Sequence, residues 1–433
     1  MDGKRVNFLN YPIKDNEMYP ITLLGKNYCI GKTSLKDIAI KYKTPSYVYD
    51  LDVIEDKFNS LKKFISWPKL RICYAMKANS NTDILKKLKS IGSAIDAVSY
   101  GDVLVAIKAG FKPESIIFTT NNATDAEIDL VYGSKVLINI GDLSHLEKFG
   151  KSHPQSRMCL RVNTEVESGE NNLVKTAGKE SQFGILLDDI AAAKNIADKY
   201  HLKVIGIHEH TGSGVYDTAD MFTSIERTLD VARQFPDLEF VDFGGGFKVP
   251  YRPDEERIDY EGFGNKLIKI YGKFCKDYGR NLELFIEPGK YLVAESGILL
   301  VEVNTLRNSG FKNKNAKIFA GVNSGFPQLI RPVLYGAYHH IINCSNPEGQ
   351  KKKYTVAGDI CEGGDIFAKD RMIEDIREGD ILTILNAGAY GYSMASTYNN
   401  RPLPAEIIIE DGKPRISRER LSFEEYVKKY YKA

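Results

Sequence analysis

The sequence predicts an α/β protein in which a (β/α)₈ barrel is followed by a mostly β domain. Eight short apolar runs between residues 71 and 289 alternate with amphipathic segments of helical periodicity. After about residue 300, helical signals fade and strand signals dominate. The alternating part spans roughly 230 residues, close to the usual size of about 250 residues for a barrel of this kind.

The eight apolar runs have the composition of strands buried on both faces of a parallel sheet. They are too short for helices and rich in Ile, Val and Phe. A doubly wound open sheet is the alternative, but such a sheet less often contains eight β–α units. The runs are 71-RICYAMK-77, 93-SAIDAVS-99, 115-SIIFTT-120, 135-KVLINI-140, 157-RMCLRVN-163, 203-KVIGIHEH-210, 238-LEFVDFGG-245 and 283-ELFIEPG-289.

The segments between these runs have the spacing of amphipathic helices. Several begin on Thr, Asp or Ser and end near Gly, which is typical of capped helices. The clearest are 82-TDILKKLKSIG-92, 101-GDVLVAIKAGF-111, 187-LDDIAAAKNIADKY-200 and 218-TADMFTSIERTLDVARQF-235. Helices in these positions supply the crossovers that parallel strands require.

Beyond the barrel, strand patterns predict the second domain. The expected strands lie at 298–306, 317–322, 354–358, 380–386 and 405–417, and the last is a hairpin with Asp-Gly at its tip. The segment 21-ITLLGKNYCIG-31 has the same hairpin pattern, so we expect residues 1–45 to pack with the β domain. The predicted domains are this segment, a barrel over 46–297, and a β domain over 298–433 that ends in a surface helix.

The composition is that of a soluble globular protein. The 433 residues carry a net charge of +2, with 43% hydrophobic and 27% charged residues, which favours neither nucleic acid nor a membrane surface as a partner. No apolar segment reaches transmembrane length, and the first residues lack the apolar stretch of a signal peptide. The six cysteines are scattered without a CxxC pair, so we expect reduced thiols and a cytoplasmic location.

The ends of the predicted strands carry the residues of chemical interest. Lys77 ends the first run, His208 and His210 end the sixth, 244-GGG-246 ends the seventh and Glu287 ends the eighth. A lysine at a strand end is normally a solvated side chain. Because active sites of (β/α)₈ enzymes lie at the carboxyl ends of the strands, we expect these groups to share one rim of the barrel.

The three glycines indicate an anion site. Their backbone N–H groups can approach a ligand closely and form a nest, and loops after strands seven and eight are the usual phosphate position in this fold. Ser213 could donate a further hydrogen bond to the phosphate. A lone GGG is more often a flexible turn, but its position on the barrel favours the phosphate site.

A rim lysine beside a phosphate site suggests pyridoxal 5′-phosphate (PLP). This cofactor needs a lysine for its Schiff base, an anchor for its phosphate and a partner for its pyridine nitrogen. Lys77 suits the first role, and Glu287 suits the last because a carboxylate favours the protonated ring. His210 could stack on the ring face. The pair His208 and His210 could instead ligate zinc, but no third His or Cys ligand is obvious at another strand end, so we expect no metal.

Taken together, the motifs YAMKAN, H-x-G-S, GGGF, EPG, CE…GD and GAYGYSMAS resemble those of the fold-type III PLP-dependent decarboxylases, and within them the diaminopimelate decarboxylase family. The resemblance runs from about residue 45 to 410. It is most specific at 331-RPVLYGAYHH-340 and 387-AGAYGYSMASTYNNRP-402. It implies an alanine-racemase-like barrel with a β domain, and a homodimer whose active sites are built from both subunits.

The resemblance also implies roles for individual residues. Lys77 would form the Schiff base, His210 would stack on the ring and Glu287 would hold the pyridine nitrogen. Ser213, Gly245, Gly246 and Gly289 would lie at the phosphate. The residues that would meet the substrate are Lys290, Arg331 and Tyr335 at a carboxylate, Glu362 at the distal ammonium group, and Tyr390 against cofactor and substrate.

The implied reaction is decarboxylation of meso-2,6-diaminopimelate to L-lysine and CO₂, the last step of lysine biosynthesis. Cys361, supplied by the partner subunit together with Glu362, would be the acid near the carbon that loses CO₂, with Lys77 as the alternative acid. Two other functions stay open: decarboxylation of another diamino or modified amino acid, and a non-catalytic PLP-binding role.

Four motifs depart from the family pattern. Lys290 replaces the family arginine after EPG, which keeps the charge but loses the bidentate fork. Gly363 removes the hydroxyl of CESGD, while VSGGE appears as 98-VSYGD-102 and VDAGM as 322-VNSGF-326. Because Lys290 and Gly363 would lie close to the substrate, these departures bear on substrate identity more than on reaction type.

Overall fold

The computed structural model of the chain describes residues 17–18, 21–169, 176–213, 218–310 and 317–431. Part of the predicted N-terminal segment 1–45 therefore lies outside the described residues. The strands are β1 (Glu17–Met18), β2 (Ile21–Leu24), β3 (Asn27–Ile30), β4 (Thr33–Ser34), β5 (Ser46–Asp50), β6 (Leu70–Ala75), β7 (Ala94–Ala97), β8 (Ile116–Thr119), β9 (Leu137–Ile140), β10 (Arg157–Asn163), β11 (Ile185–Leu186), β12 (Lys203–His208), β13 (Phe240–Asp242), β14 (Glu283–Ile286), β15 (Gly297–Asn308), β16 (Ile318–Val322), β17 (Ile341–Asn343), β18 (Lys351–Ala357), β19 (Ile366–Glu374), β20 (Ile381–Ile384), β21 (Ala405–Glu410) and β22 (Lys413–Arg418).

The helices alternate with strands in the first two-thirds of the chain and become sparse later. They are α1 (Leu35–Tyr42), α2 (Leu51–Phe64), α3 (Thr82–Ser90), α4 (Tyr100–Lys108), α5 (Asp125–Gly133), α6 (Leu143–Ser152), α7 (Ile190–Lys199), α8 (Thr218–Ala232), α9 (Tyr260–Tyr278), α10 (Lys290–Val293), α11 (Arg331–Tyr335) and α12 (Phe423–Tyr430). Several begin at a side-chain cap: Asn81, Ser99, Thr124, Asp142 and Ser422 each accept a hydrogen bond from a backbone N–H of the first turn.

The chain divides into two compact units. One comprises Met1–Asp56, Pro250–Glu256 and Val293–Ala433, and we name it the β unit; the other, the barrel unit, comprises Lys57–Val249 and Arg257–Leu292. Strand β5 lies in the β unit, where it pairs antiparallel with β15 and parallel with β21.

The barrel unit contains a closed, all-parallel barrel of eight strands. The order is β6-β7-β8-β9-β10-β12-β13-β14, and β14 pairs with β6 to close the ring. Each strand coincides with one of the eight apolar runs, with β6 beginning one residue before its run, so the predicted fold class is confirmed. The barrel interior is filled by side chains from successive strands, namely Cys73, Ala94, Ile117, Cys159, Ile205, Phe240 and Phe285.

The first barrel strand is shorter than its apolar run. Strand β6 ends at Ala75, and Met76–Ala78 form one turn of 3₁₀ helix. Lys77 therefore lies in a tight turn just past the strand, with its neighbours Met76 and Ala78 buried. The turn fixes the lysine backbone at the carboxyl end of the barrel.

The β unit is built around a mixed sheet in the order β19-β18-β16-β15-β5-β21-β22, with β20 pairing β15 and β17. The β21–β22 hairpin turns at Asp411 and Gly412, both with positive φ, as predicted for an Asp-Gly tip. The predicted 21–31 hairpin is also present as β2 and β3. Its side chains Ile21 and Ile30 share one buried core with Val48, Ile298 and Ile407.

Candidate active site

The carboxyl ends of the barrel strands bring together five ionisable side chains. Lys77 follows β6, and Asp96 is the last residue but one of β7. His208 and Asp242 are the last residues of β12 and β13, and Glu287 directly follows β14. Because the strands are parallel, these ends meet at one rim of the barrel. All but Lys77 are at most 5% exposed. A concentration of buried charge at this position favours a catalytic site over a structural one.

Lys77 forms an ion pair with Asp96. The Lys77 Nζ donates to Asp96 Oδ2, and the lysine side chain is 34% exposed while the aspartate is fully buried. Burial and the negative charge of Glu287 raise the pKa of Asp96, and Lys77 opposes this shift. The pair holds the amine at the rim in reach of a ligand. Sequence analysis missed Asp96, although an acid inside the apolar run 93-SAIDAVS-99 was a usable signal.

Glu287 is held as a charged carboxylate. His208 Nε2 donates to Glu287 Oε2 at 3.1 Å, and burial lowers the pKa of His208, so the imidazole is neutral and acts as the donor. Burial raises the pKa of Glu287, but the hydrogen bond from His208 and the positive charge of Lys77 outweigh it and lower the pKa to about 2. In the described part of the chain, no donor reaches Glu287 Oε1.

The glycine loop after β13 comes very close to its neighbours. Gly244 and Gly246 have φ of 60° and 96°, which favour glycine. A Cβ on Gly245 would lie 2.5 Å from the carbonyl oxygen of Glu287, so this position has no room for a side chain. The Gly245 N–H donates to His210 Nδ1 at 3.2 Å, which places the His210 ring against the loop.

Arg161 is a second rim residue that sequence analysis missed. It lies on β10 in register with His208, is 7% exposed, and stacks its guanidinium on Phe183 with 4.9 Å to the ring centroid. Burial lowers the pKa of Arg161, and the acids Glu287, Asp96 and Glu209 oppose that shift. Among the described residues, its Nη2 has no hydrogen-bond acceptor. This buried donor is available to an anionic or carbonyl oxygen of a ligand.

In the β unit, Arg331 is buried and held between aromatic rings. It is the first residue of α11 and is 3% exposed. Its guanidinium carbon lies 5.2 Å from the Tyr251 ring centroid and 5.9 Å from that of Tyr335. Such stacking limits the rotamers of the arginine and prepares its fork for a carboxylate.

Cys361 and Glu362 lie on an exposed loop between β18 and β19. The Asn399 Nδ2 donates to Cys361 Sγ at 3.1 Å, and the Tyr398 hydroxyl donates to Glu362 Oε1 at 2.8 Å. This loop and α11 line one open cavity of about 630 Å³, to which Gly363 and Val333 contribute. The residues that line this cavity are neighbours of the predicted substrate residues and not those residues themselves. Asn399 and Tyr398 are loop partners that sequence analysis had not singled out.

Known proteins similar to this chain show the family to which it belongs. The family model for the pyridoxal-binding domain of pyridoxal-dependent decarboxylases matches residues 51–294. A diaminopimelate decarboxylase from Methanothermobacter thermautotrophicus is 37% identical over 409 residues, which cover 92% of this chain and 94% of that protein. The chain belongs to the diaminopimelate decarboxylase family.

Solved structures of the family share the fold along almost the whole chain. The diaminopimelate decarboxylase of Helicobacter pylori in complex with L-lysine superposes with a TM-score of 0.83 at 31% identity, covering 91% of this chain and 98% of that one. The M. jannaschii enzyme in co-complex with L-lysine gives a TM-score of 0.86 at 25% identity, with 96% and 98% covered. Members of this family are PLP-dependent, so the cofactor prediction is confirmed.

The rim residues of this family member fit PLP. The cofactor has a cationic ring nitrogen, a phosphate and a carbonyl that reacts with an amine. Glu287 Oε1 is a buried anionic oxygen that receives no hydrogen bond from any described residue, and the glycine loop is a cradle that a Cβ would fill. Lys77 supplies the amine. The sequence raised zinc binding by His208 and His210 as an alternative. In the structure, the polar atoms of His208, Asp242 and Glu287 lie within 4.8 Å of one another.

The other predicted residues occupy varied positions. Ser213 is half-buried in the loop after β12, and a Cβ on Gly289 would lie 3.2 Å from the side chains of Ala75 and Ala78. Lys290 begins α10 and is 4% exposed, while Tyr390 has φ of 56° in the loop after β20. Their contacts with cofactor or substrate stay predictions.

Glu209 points away from the histidines that flank it. It is 4% exposed, and its Oε2 accepts a hydrogen bond from the Ser224 hydroxyl at 2.8 Å. Burial raises the pKa of Glu209 to about 8, so the folded protein keeps the carboxyl protonated near neutral pH. Glu209 is therefore a structural residue that links β12 to helix α8.

We expect Glu209→Gln to change how stability depends on pH. Because the pKa of Glu209 rises from its ordinary value of 4.5 to about 8 in the folded protein, the stabilising contribution of Glu209 is full below pH 4.5 and is lost as pH rises to about 8. The variant should match wild type in melting temperature at pH 5 and exceed it by a few °C at pH 9. Glu226→Gln, at an exposed position on helix α8, is the control. Equal melting temperatures at pH 9 would show that Glu209 is ionised without cost.

Proposed function

We propose that this chain decarboxylates meso-2,6-diaminopimelate to L-lysine and CO₂, the last step of lysine biosynthesis. The observation that carries the proposal is the similarity to diaminopimelate decarboxylases over 92% of the chain, at 37% identity. Two solved relatives of similar fold were crystallised with L-lysine, which would be the product here. The arrangement at the barrel rim supports the same reaction type.

The barrel residues would hold the cofactor and tune it. Lys77 would attach PLP, and Glu287 would face the ring nitrogen and stabilise its protonated form. Gly245, Gly246, Gly289 and Ser213 would bind the phosphate, mainly through backbone N–H groups. When bound, PLP supplies a ring that accepts the electron pair freed when the bond between Cα and the carboxylate breaks.

His210 would position the cofactor through its ring face. Its Nδ1 accepts the Gly245 N–H, so a neutral His210 carries its proton on Nε2. Desolvation, Arg161 and Lys77 lower the pKa of His210 well below its usual value, which keeps the ring neutral. A neutral ring stacks on a cationic cofactor without repulsion.

The β-unit residues would recognise the substrate and move a proton. Arg331 and Tyr335 would engage the distal carboxylate, and Glu362 would engage the distal ammonium group. Lys290, which belongs to the barrel unit, would also engage the distal carboxylate. Tyr390 would contact cofactor and substrate. Once CO₂ has left, Cα needs one proton, which the Cys361 thiol or the Lys77 ammonium group would donate.

The test is direct assay of the purified chain with PLP. Meso-diaminopimelate should yield L-lysine and CO₂ in a 1:1 ratio. L-Ornithine, L-arginine and L-lysine form the comparison panel, because Lys290 and Gly363 bear on which amino acid is accepted. Release of CO₂ only from another member of the panel would replace the substrate and keep the reaction. Binding of PLP without CO₂ from any of them would favour the non-catalytic alternative.

We further propose a homodimer in which each active site uses residues of both subunits. Cys361 and Glu362 support this proposal because both are exposed on their own chain, although a catalytic acid needs to be shielded from water during the reaction. Burial by a second copy would provide that shielding.

Mixing two inactive variants tests the shared site. Lys77→Ala and Cys361→Ala, unfolded together and refolded, should recover about a quarter of wild-type activity, because half of the dimers are mixed and one of their two sites is intact. Lys77→Ala mixed with Glu287→Gln is the matched control, since both changes lie in the barrel unit and leave no intact site. Mixed dimers with no recovered activity would place each site within one chain.

We also propose a cytoplasmic location, which the six free cysteines support. Among the described residues, no helix is both long enough and apolar enough to cross a membrane.

A further inference from the structure

Asp242 is a buried acid at the barrel rim to which the proposed reaction gives no role. It ends β13, is fully buried, and lies in register with His208 on the neighbouring strand. On its other side, β14 leads to Glu287. An unneutralised carboxylate buried at such a position is strongly destabilising, so its neighbours must compensate for it.

One oxygen of Asp242 has a clear partner and the other has none that donates. The Gly244 N–H donates to Asp242 Oδ1 at 2.8 Å. Within the described ranges, Asp242 Oδ2 and Glu287 Oε1 both receive no hydrogen bond. The polar atoms of Asp242, Glu287 and His208 nevertheless lie within 4.8 Å of one another. Two carboxylates this close in a dry site cannot both be charged, and one proton between them removes the repulsion.

The surroundings decide which acid carries that proton. The hydrogen bond from His208 and the positive charge of Lys77 favour the charged form of Glu287. For Asp242, burial and the negative charges of Glu287 and Asp96 raise the pKa, and the hydrogen bond from the Gly244 N–H opposes them. The nearby Arg161 acts on Asp96, Glu209 and the two histidines. Glu287 is therefore the anion and Asp242 the acid.

We propose that Asp242 is a positioning residue for the cofactor, held as a neutral carboxylic acid that donates its Oδ2 proton to the Glu287 carboxylate. Its Oδ1 at the same time accepts from Gly244. Asp242 is thereby hydrogen-bonded both to the glycine loop and to Glu287. It would fix the distance between the groups that hold the phosphate of PLP and the carboxylate that faces its ring nitrogen. The inference depends on the PLP dependence of the family and not on which amino acid is decarboxylated.

The proton itself can be observed by isotope-edited infrared spectroscopy on the full chain loaded with PLP. Labelling aspartate with ¹³C at the side-chain carboxyl isolates its protonated C=O band, and exchange into D₂O confirms the proton. At pH 9, above the values of about 7 for Asp96 and about 8 for Glu209, we expect one such band to persist. It should vanish in Asp242→Asn and remain in Glu209→Gln. A labelled wild-type protein with no protonated aspartate at pH 9 overturns the proposal.

Two variants test the positioning role through PLP affinity. Asp242→Leu removes both hydrogen bonds and should weaken PLP binding by about tenfold or more, the range for a hydrogen bond to a charged group. Asp242→Asn should recover most of this loss, since its oxygen can accept from Gly244 while its NH₂ donates to Glu287. An Asn variant as weak as the Leu variant, or a Leu variant that binds like wild type, overturns the role. If Asp242→Leu does not fold, the labelled wild-type spectrum still decides the protonation state.

Discussion

Lys77→Ala should lower kcat/KM for decarboxylation by at least about 10³-fold, because the amine that attaches the cofactor is lost. The one-turn 3₁₀ helix that places residue 77 is retained in the alanine variant, whereas the ion pair with Asp96 is lost together with the amine. PLP should still bind through its phosphate, but more weakly. The measurements are steady-state kinetics and the visible absorbance of bound PLP.

Lys69→Ala is the matched control for this prediction. Lys69 lies at the opposite end of β6, and its exposed Nζ donates to the carbonyl oxygen of Asn281 at 2.8 Å. Its loss should leave kcat/KM within about twofold of wild type. Reduction of the wild-type complex with borohydride followed by peptide mapping should place the PLP mass on Lys77. Label on another lysine, or a Lys77→Ala enzyme with a tenth of wild-type activity, would contradict the assignment.

Glu287→Gln should lower kcat by about 10²–10³-fold, a typical loss when one electrostatic group of a preorganised site is removed. The amide oxygen can still accept from His208, but the NH₂ group would then face the ring nitrogen and favour its unprotonated form. The carboxylate has a pKa of about 2, so it is charged throughout the range from pH 5 to 9. The wild-type pH–rate profile should therefore show no break from Glu287.

Glu283→Gln provides the comparison on the same strand. Glu283 pairs with Arg71 at 2.8 Å at the other end of β14, where both side chains are more than a third exposed. Exposed pairs contribute little, so this variant should keep kcat and stability near wild type. Equal losses in the two variants would mean that Glu287 acts through folding. If Glu287→Gln bound PLP more weakly but kept its kcat at saturating PLP, the role of Glu287 would be limited to cofactor affinity.

The barrel could be predicted because its signals are local. Parallel strands covered on both faces are short apolar runs, and all eight runs of the sequence contain a barrel strand. Lys77 and Glu287 were recognisable because each is an ionisable residue at the carboxyl end of such a run. Their location at one rim then follows from the parallel arrangement.

The remaining rim residues depend on closure of the barrel. Asp96 and Arg161 lie inside apolar runs, and their partners come from strands or loops elsewhere in the chain. The same limit applies to β5, which pairs with β15 and β21 far along the chain, and to Asn399, which contacts Cys361. Neither periodicity nor local composition carries information about such long-range pairs.

The glycines of this protein differ in how freely evolution can change them. A Cβ at Gly363 would meet no atom of the described residues within 4 Å, whereas a Cβ at Gly245 would collide with the Glu287 backbone. A substitution of Gly363 on the Cys361 loop therefore carries little folding penalty, while Gly245 in the glycine loop has no room for a side chain. Selection can alter the chemistry of the loop proposed to meet the substrate, and the rim proposed to hold the cofactor stays constant. A lineage could in this way acquire a new amino-acid preference without first gaining extra stability.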